Sequence, residues 1–168
     1  MEWRSPLAPE SGVRLLIESR TYGVALASGA GEVEFNVTSD DDSSSLLAPS
    51  RVQMDAFPGS RPAEKITVNT ARLDDTLARD QLIPPVLMKL DVQGGELDAL
   101  RGATETLATT DFVLVECSFV ELYEGQALYD EVISFLTNRG FELAGFYSPT
   151  VENGRLLQAD ALLTRGGE

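Results

Sequence analysis

Apolar and polar positions divide this chain into short runs whose spacing predicts strands and helices in turn. Val86-Leu87-Met88-Lys89-Leu90 is nearly continuous in apolar residues and follows Pro84-Pro85. Such a run predicts a short strand buried on both faces. Leu97, Leu100, Ala103 and Leu107 then recur at helical spacing, one apolar stripe on a polar segment. Phe112-Val113-Leu114-Val115, closing on Glu116-Cys117, predicts a second strand. Strand, helix and strand within about thirty residues form a βαβ unit, with parallel neighbouring strands and a right-handed crossover.

The flanking segments read less uniformly. Residues 1–12 hold Trp3 and two prolines without a period, an irregular arm. Val13–Ile17 and Tyr22–Ala27 are short apolar runs, each a candidate strand. Gly29-Ala30-Gly31 lacks the third glycine of a dinucleotide-binding loop and precedes a period-two run, so it predicts a hairpin turn. That run, Glu32–Val37, predicts a strand with Val33, Phe35 and Val37 buried, pairing with Ile66-Thr67-Val68. Between them, Leu46–Glu64 reads as a long surface loop, and Leu73–Leu77 begins a short helix. Tyr129, Val132, Ile133 and Leu136 predict an amphipathic helix closed by Gly140. Phe141–Phe146 predicts a strand, Asn153-Gly154 a turn, and Leu156–Leu163 the returning strand.

Composition narrows the chemistry. The 168 residues suit one domain, with 43% hydrophobic and 24% charged residues. A net charge of −14 argues against nucleic acid and against an anionic membrane surface as partners. The chain has no histidine, which excludes a histidine triad, a histidine metal ligand and an imidazole base. The single cysteine, Cys117, excludes an intramolecular disulfide and reads as a core thiol. No run has transmembrane length and the N-terminus lacks the plan of a signal peptide, so the cytoplasm is the default location.

Acid–base work then falls to carboxylates, lysine or tyrosine. Asp91 and Glu116 each stand where a predicted strand ends, and parallel neighbours bring both ends to one rim, where α/β sheets bind ligands. Glu96, in the first turn of the intervening helix, lies above the same rim. A helix-starting role would equally explain Glu96, and a turn role Asp91. Gly94 and Gly95 permit a sharp bend and close approach to a ligand. Carboxylates converging this way could also hold a divalent cation, but without histidine no metal is assigned.

Lys89-Leu90-Asp91-Val92-Gln93-Gly94-Gly95-Glu96 followed by Leu100-Arg101-Gly102-Ala103 resembles the signature segment of FkbM-type methyltransferases. There an apolar strand is followed by Asp, a small apolar residue, Glu or Gln, Gly, any residue and Glu, then by Leu-x-Gly-Ala. The order around it is similar too: Leu73-Asp74 and the serine-rich Ser43-Ser44-Ser45-Leu46 upstream, Val115-Glu116 downstream. The resemblance runs from about Val24 to Leu163. It implies a partial class I (Rossmann-like) α/β sheet, mostly parallel and finished by an antiparallel hairpin, using S-adenosylmethionine for O-methylation of a small-molecule or sugar hydroxyl.

On that reading Asp91 and Glu116 are the catalytic candidates, and Gln93, Glu96, Ser44 and Tyr123 line the acceptor. Ala25, Leu26 and Asp91 are the cofactor contacts, and Asp74 is a recurring structural residue. The family's first strand, Gly-rich turn and ribose-binding acid have no counterpart here, which implies a fragment or a relative without its cofactor half. Without that first strand, Val86–Leu90 would form an apolar sheet edge. We expect Val13–Ala27 or a second copy of the chain to cover it. The alternative function is a non-catalytic binding or assembly module.

Overall fold

The computed structural model of the chain describes residues 19–78 and 81–167. Residues 1–12 and the Val13–Ile17 run lie outside the described residues. Two sheets organise the rest. The first contains β1 (Ala25–Leu26), β2 (Gly31–Thr38) and β3 (Pro62–Ala71) in the order β1-β3-β2, β1 running parallel and β2 antiparallel to β3. Phe35 pairs with Ile66, as the sequence predicts. Its buried positions are not the expected ones: Asn36 and Thr38 are buried, whereas Val33 is exposed and Phe35 and Val37 are half-buried. Ser45 explains the inversion, because its main chain bonds Asn36 at 2.8 and 3.1 Å and draws the serine loop over that face.

The second sheet has the order β4-β5-β7-β6, from β4 (Leu87–Leu90), β5 (Phe112–Ser118), β6 (Phe141–Glu152) and β7 (Arg155–Arg165). β4 and β5 are parallel, Leu90 beside Val115. β7 runs antiparallel to both β5 and β6, and Asn153 and Gly154 turn the hairpin with φ of 50° and 77°. The closing hairpin is as expected. The sheet as a whole is not mostly parallel, since only the β4–β5 pairing is, and β1–β3 form a separate sheet. The architecture is mixed α/β with two mixed sheets.

One face of this sheet carries α3 (Glu96–Arg101), α4 (Thr104–Leu107) and α5 (Tyr129–Thr137). Leu100, Leu107, Val113, Val115, Leu136 and Leu163 are fully buried between them. Each such side chain contributes about 1.5–3 kcal/mol of burial free energy. The other face has no such cover among the described residues. Met88 and Leu90 point inward, Leu87 and Lys89 outward, so β4 is buried on one face and not on two. Ala25–Leu26 pair with β3 and do not cover the outer edge of β4.

The stretch read as a loop at Leu46–Glu64 contains α1 (Arg51–Ala56) and a 3-10 turn at Pro58–Ser60, and β3 begins within it. Ser50 starts α1 by accepting the Gln53 amide at 3.3 Å. The helix packs through Ala56 against a small second core of Val120, Leu122, Tyr123 and Leu157.

The helix read continuously from Leu97 to Leu107 breaks at Gly102-Ala103. Gly102 is where the two sheets meet: a Cβ there would lie 2.0 Å from the Ala27 carbonyl oxygen and 3.3 Å from Arg72 Cα. Both neighbours are backbone and cannot swing aside. Gly102→Ala is therefore expected to lower stability by about 1–3 kcal/mol through overpacking, read as the shift of a urea midpoint.

Beside Gly102, Asp74 of α2 (Leu73–Thr76) places a carboxylate with 3% exposure over the start of α4. It accepts the Glu105 amide at 3.0 Å, the Thr106 amide and hydroxyl at 2.8 Å each, and Arg72 Nη2 at 3.0 Å. Burial opposes its charge, but these donors outweigh burial and hold Asp74 below its ordinary pKa.

Candidate functional site

The parallel register of β4 and β5 sends both strands to one end of the sheet, where Asp91 and Glu116 follow Leu90 and Val115. There the chain bends through Val92-Gln93-Gly94-Gly95 into α3. Gln93 has φ of 53°, a left-handed conformation costing a bulky residue about 1–2 kcal/mol. Gly94 follows at φ 93°, and a Cβ on it would meet Tyr123 Cβ at 3.0 Å. The bend is held from several sides. Ser45 Oγ donates to the Gln93 carbonyl at 2.6 Å, and Glu96 Oε1 accepts the amides of Val92 and Gly94 at 3.0 and 3.2 Å.

A cavity of about 560 Å³ opens beside this bend. Asp91, Val92, Gln93 and Gly95 form one wall, and Val24, Ala25, Leu26, Phe35 and Val68 form an apolar wall opposite, with Ser44 and Asp42 at the serine loop. Of the residues chosen from sequence, Ala25, Leu26, Ser44, Asp91 and Gln93 thus share one cavity. Asp91 keeps 39% side-chain exposure, with Lys89 Nζ on Oδ2 at 2.8 Å and Gln93 Nε2 on Oδ1 at 2.9 Å. Asp91 raises the Lys89 pKa above its usual range by hydrogen bonding, against the effect of burial.

Three expected residues stand elsewhere. Glu96 is buried at 5% exposure, its carboxylate spent on the bend's own amides, so it shapes the loop and does not line the cavity. Burial, with a smaller contribution from Asp91, raises its pKa. Tyr123 is 2% exposed and lies behind Gln93, its hydroxyl 2.7 Å from Gln93 Oε1, so it does not border the cavity as expected. Burial raises its pKa as well. Glu116 is half-buried on the sheet's uncovered face and accepts Gln158 Nε2 at 2.7 Å. Cys117, facing inward beside it, is the core thiol expected, and burial pushes its pKa to about 12.

Burial, then repulsion from Asp91, Glu96 and Asp160, lifts Glu116 from 4.5 to about 7. The folded state thus binds more protons than the unfolded chain between these values, and stability falls as pH rises from 4.5 to 7. Glu116→Gln keeps an acceptor for Gln158 and removes the charge. We expect it to stabilise the protein at pH 8 by on the order of 1–2 kcal/mol, the gain fading toward pH 4.5. Urea melts at both pH values measure this, and an equal gain at each would contradict it.

Sequence reasoning missed Lys89, Gln53 and the wall residues Phe35, Leu46 and Val68. Lys89 could have been found, since its charge inside an apolar run marks an outward position with a free choice of partner. Gln53 carries no such signal. Among the described residues, no group of three or more His, Cys, Asp or Glu is arranged to hold a metal ion, and no helix is long and apolar enough to cross a membrane.

The sequence model of the Methyltransferase FkbM domain matches residues 7–143. The chain belongs to the FkbM methyltransferase family. This FkbM-family chain is also 32% identical over 145 residues to the 2-O-methyltransferase NoeI of Sinorhizobium fredii (strain NBRC 101917 / NGR234). That alignment covers 83% of the chain and 59% of NoeI. No solved structure matches the chain. Members of this family generally use S-adenosylmethionine.

Proposed function

We propose that this chain forms the acceptor side of an S-adenosylmethionine-dependent O-methyltransferase acting on a small-molecule or sugar hydroxyl. The observation that carries this reading is Asp91: an accessible carboxylate at a strand's carboxyl end, on the wall of a cavity, with each oxygen already aimed by a donor. NoeI, named as a 2-O-methyltransferase, supports oxygen as the atom methylated.

The lining fits the cofactor in chemistry: the wall of Ala25, Leu26, Phe35, Leu46 and Val68 suits a flat ring system, and Asp42 and Asp91 suit a cationic centre. When bound, the cofactor supplies a methyl group on sulfonium. The chain's own part is to hold the hydroxyl in line and receive its proton. Asp91 orients that hydroxyl and takes its proton. Ser44 and Gln93 contact the acceptor.

A second reading, an assembly module, is favoured by the outer edge of β4, which no strand pairs among the described residues. Calorimetry with S-adenosylmethionine and its demethylated product separates the two. Micromolar binding, followed by transfer of labelled methyl to a panel of sugars, is expected for the enzyme. No heat at millimolar ligand would overturn it in favour of the module, for which sedimentation would show self-association.

A further inference from the structure

Behind the cavity wall, four polar side chains are joined end to end. Gln53 Nε2 donates to the Tyr123 hydroxyl at 3.2 Å, that hydroxyl lies 2.7 Å from Gln93 Oε1, and Gln93 Nε2 donates to Asp91 Oδ1 at 2.9 Å. Gln53 and Tyr123 are 3% and 2% exposed, so the chain starts in the core and ends on the accessible carboxylate. Its direction follows from chemistry. Ionised Asp91 can only accept, so the amide end facing it must be the NH₂ of Gln93, which turns the Gln93 carbonyl to Tyr123. The tyrosine proton has a second acceptor, the Ser43 carbonyl at 3.0 Å, and the Gln93 oxygen is nearer. Donation into an amide carbonyl polarises the amide and strengthens its N–H as a donor. Tyr123 also packs against Gly94, so ring and hydroxyl together fix the bend that carries Gln93.

We propose that Tyr123, backed by Gln53, is a positioning residue that sets the direction in which Asp91 presents its carboxylate, acting through the side-chain amide of Gln93. The inference rests on the reading of Asp91 as the reactive group and adds residues that never touch the substrate. Gln53 donates to Tyr123 through Nε2, and its Oε1 is buried with no hydrogen-bond partner among the described residues.

The test reads the Gln93 side-chain amide in ¹⁵N spectra of the full chain, the signal identified by its loss in Gln93→Met. In the wild type one N–H proton is expected downfield, and in Asp91→Ala that shift collapses. Tyr123→Phe should produce the same collapse although Asp91 is intact, and Asp91→Ala added to it should change the signal no further. Gln53→Met, which keeps the packing volume, should move the same signal part of the way and serves if Tyr123→Phe does not fold. A Gln93 signal unmoved in Tyr123→Phe, or in Gln53→Met where only that variant folds, would overturn the proposal. The signal reports the contact whether or not methyl is transferred, so absence of transfer with the coupling present would sink the enzyme reading alone.

Discussion

Replacing Asp74 with alanine is expected to cost about 3–5 kcal/mol, the range for removing one partner from a buried, charged network. The side chain never reaches the cavity, so the effect is on the fold. Without it, Arg72 loses its buried counter-ion, the Thr106 amide and hydroxyl lose their acceptor at 2.8 Å, and the first turn of α4 loses its anchor to α2. Asp74→Asn keeps one acceptor oxygen and should cost less. The pH dependence has its own sign. A carboxyl held below 3.8 contributes stability that is present above that value and lost as pH falls through its folded pKa. Glu116 and Glu96, both raised, act in the opposite sense. Urea melts across pH 3 to 8 should therefore show a wild-type optimum on the mildly acidic side. In Asp74→Ala the acid limb of that curve should flatten; an unchanged acid limb would contradict the assignment.

The second large effect is on turnover. If the chain acts as proposed, Asp91→Asn is expected to slow methyl transfer by about 10²–10⁴-fold, the usual contribution of a positioned general base. Its melting temperature should barely move. Asp91 and Lys89 are 39% and 56% exposed, and a surface pair of that kind contributes about 0–1 kcal/mol. Asparagine also still offers an acceptor to Gln93 Nε2, so the bend keeps its shape. Single-turnover transfer from a labelled methyl donor, beside a thermal melt, separates the two outcomes. Transfer at the wild-type rate would remove Asp91 from the reaction.

The parts of the fold legible from sequence were those with a local cause. The parallel strands at Leu87–Leu90 and Phe112–Ser118, the helix at Tyr129–Thr137 and the Asn153-Gly154 turn each follow from period or turn chemistry. What failed was set by distant contacts. The need for glycine at 102 comes from the Ala27 carbonyl just beyond β1, and no helical period can anticipate that. The burial of Asn36 and Thr38 comes from the Ser45 loop, where side-chain polarity argued the reverse. The candidate site divides in the same way. Asp91 was placed by strand direction alone, a backbone property. Glu96 and Tyr123 lie beside the bend, and which way each side chain turns depends on the contacts it makes there.

Lys89 stands in the middle of β4, pointing outward from a strand whose far side is unpaired among the described residues. A charged side chain on an open strand restricts which chain can add itself there, because pairing would strip water from the ammonium unless an acidic group met it. The same nitrogen aims one oxygen of Asp91. On the proposed reading, edge protection and chemistry therefore constrain a single position. A change to leucine would make this flank of the molecule sticky and leave the Asp91 carboxylate held by Gln93 alone.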